Sequence, residues 1–360
     1  MDNLVNIAAQ FANHKKITQV QPFGNGNIND TFLVTVDDPE TEKFILQRIN
    51  TQVFRHPQLV MRNMCRFTQH VHDRLQKSPP DRRWETPQVL LNQKLQDYWE
   101  EDGSCWRAIS FIHSSQSFDT IHNQEHAQEV GYALGMFHNL ISDLPPARLA
   151  DTLEGFHITP LYLQHYEALA KPNAPHAEVD YCLKFVSDRQ SWAHILEHAK
   201  AQGKLPLRLM HGDPKVNNVM FDIATGKAVS VIDLDTVKPG LVHYDIGDCL
   251  RSGCNPAGEE TDHWQTVQFE PDLCQGILQG YFSIAKDFFT ENDYFYLYDA
   301  IRLLAFELGL RFFADYLSGN VYFKVKYPEH NLIRALVQFK LTESIELQEA
   351  TLRTIIRDLQ

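Results

Sequence analysis

Three oxygen-bearing side chains stand at intervals that suit metal-assisted group transfer. Asp213 is followed five residues later by Asn218 and twenty residues later by Asp233, the first acid of an Ile-Asp-Leu-Asp turn. A carboxylate can accept the proton of an attacking hydroxyl, while an amide oxygen and a second carboxylate are hard oxygen donors for Mg²⁺. Moving a phosphoryl group onto an alcohol needs that division of labour. Lys215, two residues beyond Asp213, places an ammonium where it could reach a transferring γ-phosphoryl; the plainer reading is a solvated loop lysine.

The elements that must position these groups follow from hydropathy. Apolar runs at 205–210 and 229–232 read as strands, with VNNVMF at 216–221 as a third, so that His211, Asp213, Asn218 and Asp233 collect at one edge of a small sheet. Asp245-Ile246-Gly247-Asp248 opens a helix that its first aspartate could cap. Upstream, residues 2–13 form an amphipathic helix, 20–36 a strand–turn–strand unit, Lys43–Ile49 a third strand and 57–76 a helix. Further strands are expected at 86–91, 94–98 and 105–111, then helices over 124–144, through 155–203 and across most of the chain from Pro271.

HGDPKVNN, VIDLDTVKPG and YDIGD resemble the motif series of the aminoglycoside phosphotransferase and choline kinase superfamily. Within it, GNGNINDTFLV, FILQRIN, MRN, IDLDTVKPG and RFFADYLSGNVYFKVKYPEHNLIRALVQ are most similar to the N-acetylhexosamine 1-kinases, over about residues 23–338. The resemblance implies an α+β, two-lobed protein-kinase-like fold: a small antiparallel-sheet N-lobe over residues 1–112 and a larger, mainly helical C-lobe over 113–360. It implies an ATP-dependent phosphotransferase acting on a small-molecule hydroxyl, most closely the anomeric hydroxyl of GlcNAc or GalNAc, with ATP and Mg²⁺ as cofactors. Asp213 would be the base, Asn218 and Asp233 the metal ligands. His211 and Asp245 would serve as structural support, Asp245 accepting hydrogen bonds from the catalytic-loop backbone. Arg311 and Tyr322 fall in the sugar-site stretch.

Nucleotide contacts are expected at Gly24, Asn25 and Gly26, whose turn could lay backbone N–H groups over a triphosphate, though glycine and asparagine are also ordinary hairpin residues. Kinase-like folds carry a phosphate-gripping lysine on the third strand, paired with a glutamate on the next helix. Here Gln47 occupies that position, with Arg48 on the opposite strand face, and the following helix offers no acid before Asp73.

The formal charge of −13 argues against nucleic acid or an anionic membrane as partner. Six scattered cysteines fit a reduced, cytoplasmic setting, and no run is apolar for long enough to span a bilayer. The acceptor alternatives are other sugars, aminoglycosides, choline and homoserine. Arg311, Lys324, Lys326 and Arg334 disfavour cations. A metal-dependent hydrolase using His211, Asp213, Asp235 and His243, and a non-catalytic nucleotide-binding module, are the readings from other classes.

Overall fold

The computed structural model describes residues 2–24, 28–38, 42–169 and 176–360. The chain begins with α1 (Asp2–Phe11), β1 (Ile17–Pro22), β2 (Asp30–Val36), β3 (Lys43–Ile49), α2 (Pro57–Lys77), β4 (Val89–Leu90), β5 (Trp99–Glu101) and β6 (Ser104–Ser110). These strands form one antiparallel sheet in the order β1-β2-β3-β6-β4, with β5 also on β6. Ile7, Ala8 and Phe11 share one face of α1 and cover the sheet residues Val34, Val36, Phe44, Leu46 and Ala108. Pro57 opens α2, where its missing N–H has no partner to lose, and Val60, Met61, Met64, Phe67 and Val71 bury its inner face.

Two expected strands are shorter or displaced. Of 86–91 only Val89 and Leu90 pair, because Pro87 supplies no N–H to a ladder. Residues 94–98 form a turn instead: Leu95 takes φ +59°, and the Asn92 carboxamide accepts from the N–H groups of Lys94 and Gln96. The strand starts at Trp99.

Beyond β7 (Ser115–Gln116) the chain is mainly helical: α3 (Gln124–Ile141), α4 (Thr159–Leu169), α5 (Ala177–Arg189) and α6 (Ile195–Ala201). Short strands follow, β8 (Arg208–Met210), β9 (Val219–Asp222), β10 (Ala228–Val231) and β11 (Lys238–Gly240). Then come α7 (Val242–Gly253), α8 (Pro271–Ala285), α9 (Glu291–Phe295), α10 (Leu297–Leu317), α11 (His330–Leu347) and α12 (Glu349–Asp358). No helix among the described residues is long and apolar enough to cross a membrane.

The central strands do not share one sheet as expected. β9 pairs with β10 and β7, whereas β8 pairs with β11, Met210 opposite Lys238. The cause is local. Gly212 turns the chain at φ +88°, residues 216–218 form a 3-10 turn, and Gly240 leaves room for the Met210 side chain, whose sulfur would lie 2.2 Å from a Cβ there. Asp245 does not cap α7 but lies one turn inside it, and the N-cap is Leu241.

Below the site, α3 and α8 pack with backbones in contact. A Cβ on Gly280 would lie 1.9 Å from the Gln128 carbonyl oxygen, and one on Gly131 1.8 Å from that of Ile277. Gly280→Ala must therefore push the helices apart, and urea unfolding should show a loss of about 2 kcal/mol or more, the range of overpacked cores.

Candidate active site

The loop after β8 is held from below by one buried carboxylate. Asp245 accepts from the backbone N–H of His211 at 2.6 Å through Oδ2 and from that of Gly212 at 2.8 Å through Oδ1. His138 Nε2 lies 2.8 Å from Oδ2, and its Nδ1 is 2.9 Å from the Tyr281 hydroxyl. Burial alone would raise the Asp245 pKa, but the His138 hydrogen bond and charge bring it below the ordinary carboxylate value. His211 is fully buried and its pKa is lowered by that burial, so the ring is neutral. Its Nε2–H donates to the Ile232 carbonyl at 2.9 Å, while Nδ1 accepts from the Asp213 N–H at 3.2 Å. One imidazole thus fixes the loop to the end of β10.

Asp213, Lys215, Asn218 and Asp233 are brought together above this support. The Asn218 amide nitrogen donates to the Asp213 carbonyl at 2.7 Å, which leaves its amide oxygen as the free acceptor. The Ile232 N–H donates to the Asn218 carbonyl at 2.9 Å, setting Asn218 beside Asp233. Asp233 takes left-handed backbone angles (φ 64°, ψ 58°), a conformation that aspartate tolerates better than most residues. Lys215 Nζ lies 3.0 Å from Asp213 Oδ2. Burial works to raise the Asp213 pKa; Lys215, by charge and hydrogen bond, overcomes it and holds the carboxyl below its usual range. Asp233 goes the other way. It is an exposed residue at the mouth of the loop, yet the protein packed around its carboxyl, then the charges of Asp235 and Asp213, raise its pKa above the ordinary carboxylate value.

Asn218 and Asp233 offer the few hard oxygens that Mg²⁺ takes from protein when phosphate oxygens and water complete its shell, so the donor set fits the ion. His211 and His243 do not fit a metal cluster, since each directs Nε2 at a backbone carbonyl, that of Asp293 in the case of His243. Among the described residues no three His, Cys, Asp or Glu side chains gather as ligands.

The sheet reaches this loop through a residue that spacing did not single out. Arg107, on β6 directly across from Gln47, is 1% exposed; its Nε and Nη2 donate to Gln47 Oε1 at 2.9 and 2.7 Å, and its Nη1 donates to Asp235. Asn29, just after the glycine turn, also donates to Asp235. Arg48 lies on the other face, paired with Asp30 and near Trp106. Gly24 has φ +73°, and no atom lies within 4 Å of where a Cβ would be; Asn25 and Gly26 lie outside the described residues. The clue to Arg107 was a single charge in the apolar run of β6 facing Gln47.

Arg311 and Tyr322 line one cavity of about 430 Å³, with Leu153, Phe156, Tyr162 and Phe323. The Arg311 guanidinium lies 5.2, 5.0 and 5.5 Å from the ring centres of Phe156, Tyr162 and Phe323. Among the described residues it has no carboxylate partner, and Asp315 does not supply one. Asp315 instead accepts from the N–H groups of Val321, Tyr322 and Phe323, closing the loop after α10 over the cavity. Behind the cavity wall, His157 follows the lining residue Phe156 and its Nε2 lies 2.8 Å from the Gly212 carbonyl, which links this wall to the loop that carries Asp213. His157 and its partner Glu307 carried no sequence signal.

Residues 19–275 match the phosphotransferase enzyme family. Among solved structures, the chain is similar to a choline kinase from Cryptosporidium parvum (13% identity, TM-score 0.63, covering 99% of each chain). It is also similar to a microcompartment-associated aminopropanol kinase (16%, 0.62, 97% and 98%) and to a spectinomycin phosphotransferase in complex with ADP and spectinomycin (14%, 0.56, 98% of each). At these identities the likeness is one of fold, and it is the kinase-like fold.

Removing Arg107 should strand Asp235 as a buried, partly unpaired charge. Arg107→Met is expected to lower stability by about 3–5 kcal/mol. Arg107→Met with Asp235→Leu should recover a large part of that loss in a chemical-denaturation double-mutant cycle.

Proposed function

The chain belongs to the phosphotransferase enzyme family, and from that premise we propose an ATP-dependent kinase that phosphorylates the anomeric hydroxyl of an N-acetylhexosamine, GlcNAc or GalNAc. The observation that carries the acceptor reading is Arg311: a guanidinium with no carboxylate partner among the described residues, set among three aromatic rings on a cavity whose wall residue Phe156 precedes His157, the partner of the Gly212 carbonyl.

The residues divide the work as follows. Asp213 accepts the proton of the sugar hydroxyl as its oxygen bonds to the γ-phosphorus; the bond to the bridging oxygen breaks and its electron pair leaves with ADP. With its pKa held down by Lys215, Asp213 is a weak base, which suits the most acidic hydroxyl of the ring. Lys215, paired with Asp213 in the free protein, is placed to exchange that contact for the transferring phosphoryl oxygens. Asn218 and Asp233 hold Mg²⁺, which when bound neutralises charge on the phosphates. The Gly24 turn covers the nucleotide, with Gln47 held through Arg107 below it. Most of the acceleration then comes from alignment and charge, since the chemistry asks for little covalent participation by the protein.

A cationic acceptor is the competing reading. The aromatic rings and the exposed Glu154 at the cavity favour it, and the solved relatives include kinases named for choline and aminopropanol. Against it, the rings already face the Arg311 cation, and a second cation there would meet like charge. ADP release should be measured with GlcNAc, GalNAc, glucose, choline, homoserine and kanamycin. The hexosamines are expected to lead, giving a 1-phosphate by ³¹P NMR; choline or kanamycin leading would overturn the sugar reading. Asp213→Asn should lower kcat by about 10²–10⁴-fold with ADP binding retained. Arg311→Ala should raise the acceptor KM and leave that for ATP in place.

A further inference from the structure

We propose that Glu307 and His157 form a positioning pair for the transfer step, fixing the peptide that aims Asp213 and tying that alignment to the wall of the acceptor cavity. The inference rests on the kinase reading above.

His157 is 3% exposed and holds left-handed backbone geometry at φ +62°. Its Nδ1 is 2.8 Å from Glu307 Oε1 and its Nε2 2.8 Å from the Gly212 carbonyl oxygen. A carbonyl only accepts, so Nε2 carries a proton. The other Glu307 oxygen already takes the Thr159 hydroxyl, and the nearer one takes Nδ1–H. With protons on both nitrogens the ring is an imidazolium, and Glu307 is its counter-charge. Burial opposes that charge on His157, but Glu307 holds its pKa above the ordinary histidine value; Glu307, raised by burial, is brought below the ordinary glutamate value by His157.

The surroundings from each packed element agree. Arg311 faces the pair from α10, and Thr159 and Tyr162 face it from α4. From α7, Asp248 adds negative charge and Tyr244 stacks on the ring at 5.5 Å.

The consequence lies at Gly212. Its N–H is taken by Asp245 and its C=O by His157, so both polar groups of the residue immediately before Asp213 are pinned to buried charges. At φ +88°, with Thr236 2.9 Å from a would-be Cβ, this glycine is the pivot that sets where Asp213 points. The pair lies directly behind the cavity wall, one residue from the lining residue Phe156 and four from the lining residue Arg311. Phe156 lies under Arg311.

The test compares Glu307→Gln and His157→Asn with the wild type, asparagine being tolerant of the left-handed backbone. Rates are measured with MgATP and GlcNAc, and also as acceptor-free ADP release to water. If GlcNAc is not phosphorylated the sugar reading fails, while the water rate still tests the pair. Both variants should lose on the order of ten- to a hundredfold in kcat, with ATP KM and ADP affinity unchanged. For Glu307→Gln the deficit against wild type should narrow as pH falls from about 8 to about 6, because protons restore the imidazolium; for His157→Asn it should stay flat. Thr159→Ala, a milder lesion that frees one Glu307 oxygen, should show the same pattern at smaller size if either variant fails to bind ADP. A kcat within twofold of wild type, a loss that appears in ATP KM, or a Glu307→Gln deficit that does not vary with pH would overturn the proposal.

Discussion

Asp245 is the constraint on which the site depends. It is a carboxylate with no exposure to water, and such a charge persists only when hydrogen bonds replace its hydration. Two of those bonds come from consecutive backbone N–H groups of the loop and one from a histidine that is itself tied to Tyr281. Meeting the needs of the charge therefore dictates the path of the chain after β8. The loop cannot continue as a strand, because the N–H groups at 211 and 212 point down into α7 rather than sideways to a neighbour. Gly212 then takes the one backbone conformation that leaves Asp213 above the buried layer.

A second buried charge joins the sheet to this loop. In kinases at large a strand lysine pairs with a helix glutamate; here the strand position holds a neutral Gln47, and the adjacent strand supplies Arg107. The guanidinium can serve two acceptors at once, since its fork presents parallel donors to Gln47 and a further donor to Asp235. A buried pair of this kind adds little net stability relative to well-packed apolar residues, but it penalises every arrangement in which the partners separate. It holds the Ile-Asp-Leu-Asp turn in register with the sheet. Asn29 extends that register to the strand that leaves the glycine turn.

Spacing exposed the part of the site that is local in sequence. Asp213, Asn218 and Asp233 belong to one loop and its hairpin, so their separation along the chain nearly determines their separation in space. The strand Lys43–Ile49 and the helix from Pro57 were readable for the same reason, since periodicity and a proline at the first turn are local signals. What failed was non-local. The pairing of β8 with β11 depends on a glycine thirty residues away making room for Met210. Arg311 and Asp315 stand four residues apart on α10, an interval at which helix side chains can pair, yet Asp315 serves three backbone N–H groups of the following loop, and only the tertiary path reveals them. Arg107 and His157 follow the same rule: each makes its decisive contact more than fifty residues away, where periodicity carries no information.

The two acids at the centre are driven in opposite directions by their neighbours, and that contrast gives the proposed roles a physical basis. Lys215 draws Asp213 toward permanent ionisation, so the carboxylate is always available but is a poor proton acceptor. Asp233 is raised by the protein packed around it and by the charges of Asp235 and Asp213, a shift that a bound cation would reverse. On the proposed reading Mg²⁺ would supply positive charge beside Asp233, and a base held down by Lys215 would favour a hydroxyl that loses its proton readily. In that reading the acceptor would be filtered twice, by acidity at Asp213 and by charge at Arg311. A sugar presenting an anomeric hydroxyl and no positive charge would pass both filters, whereas an amine-bearing alcohol would meet a poor base on one side and a like charge on the other.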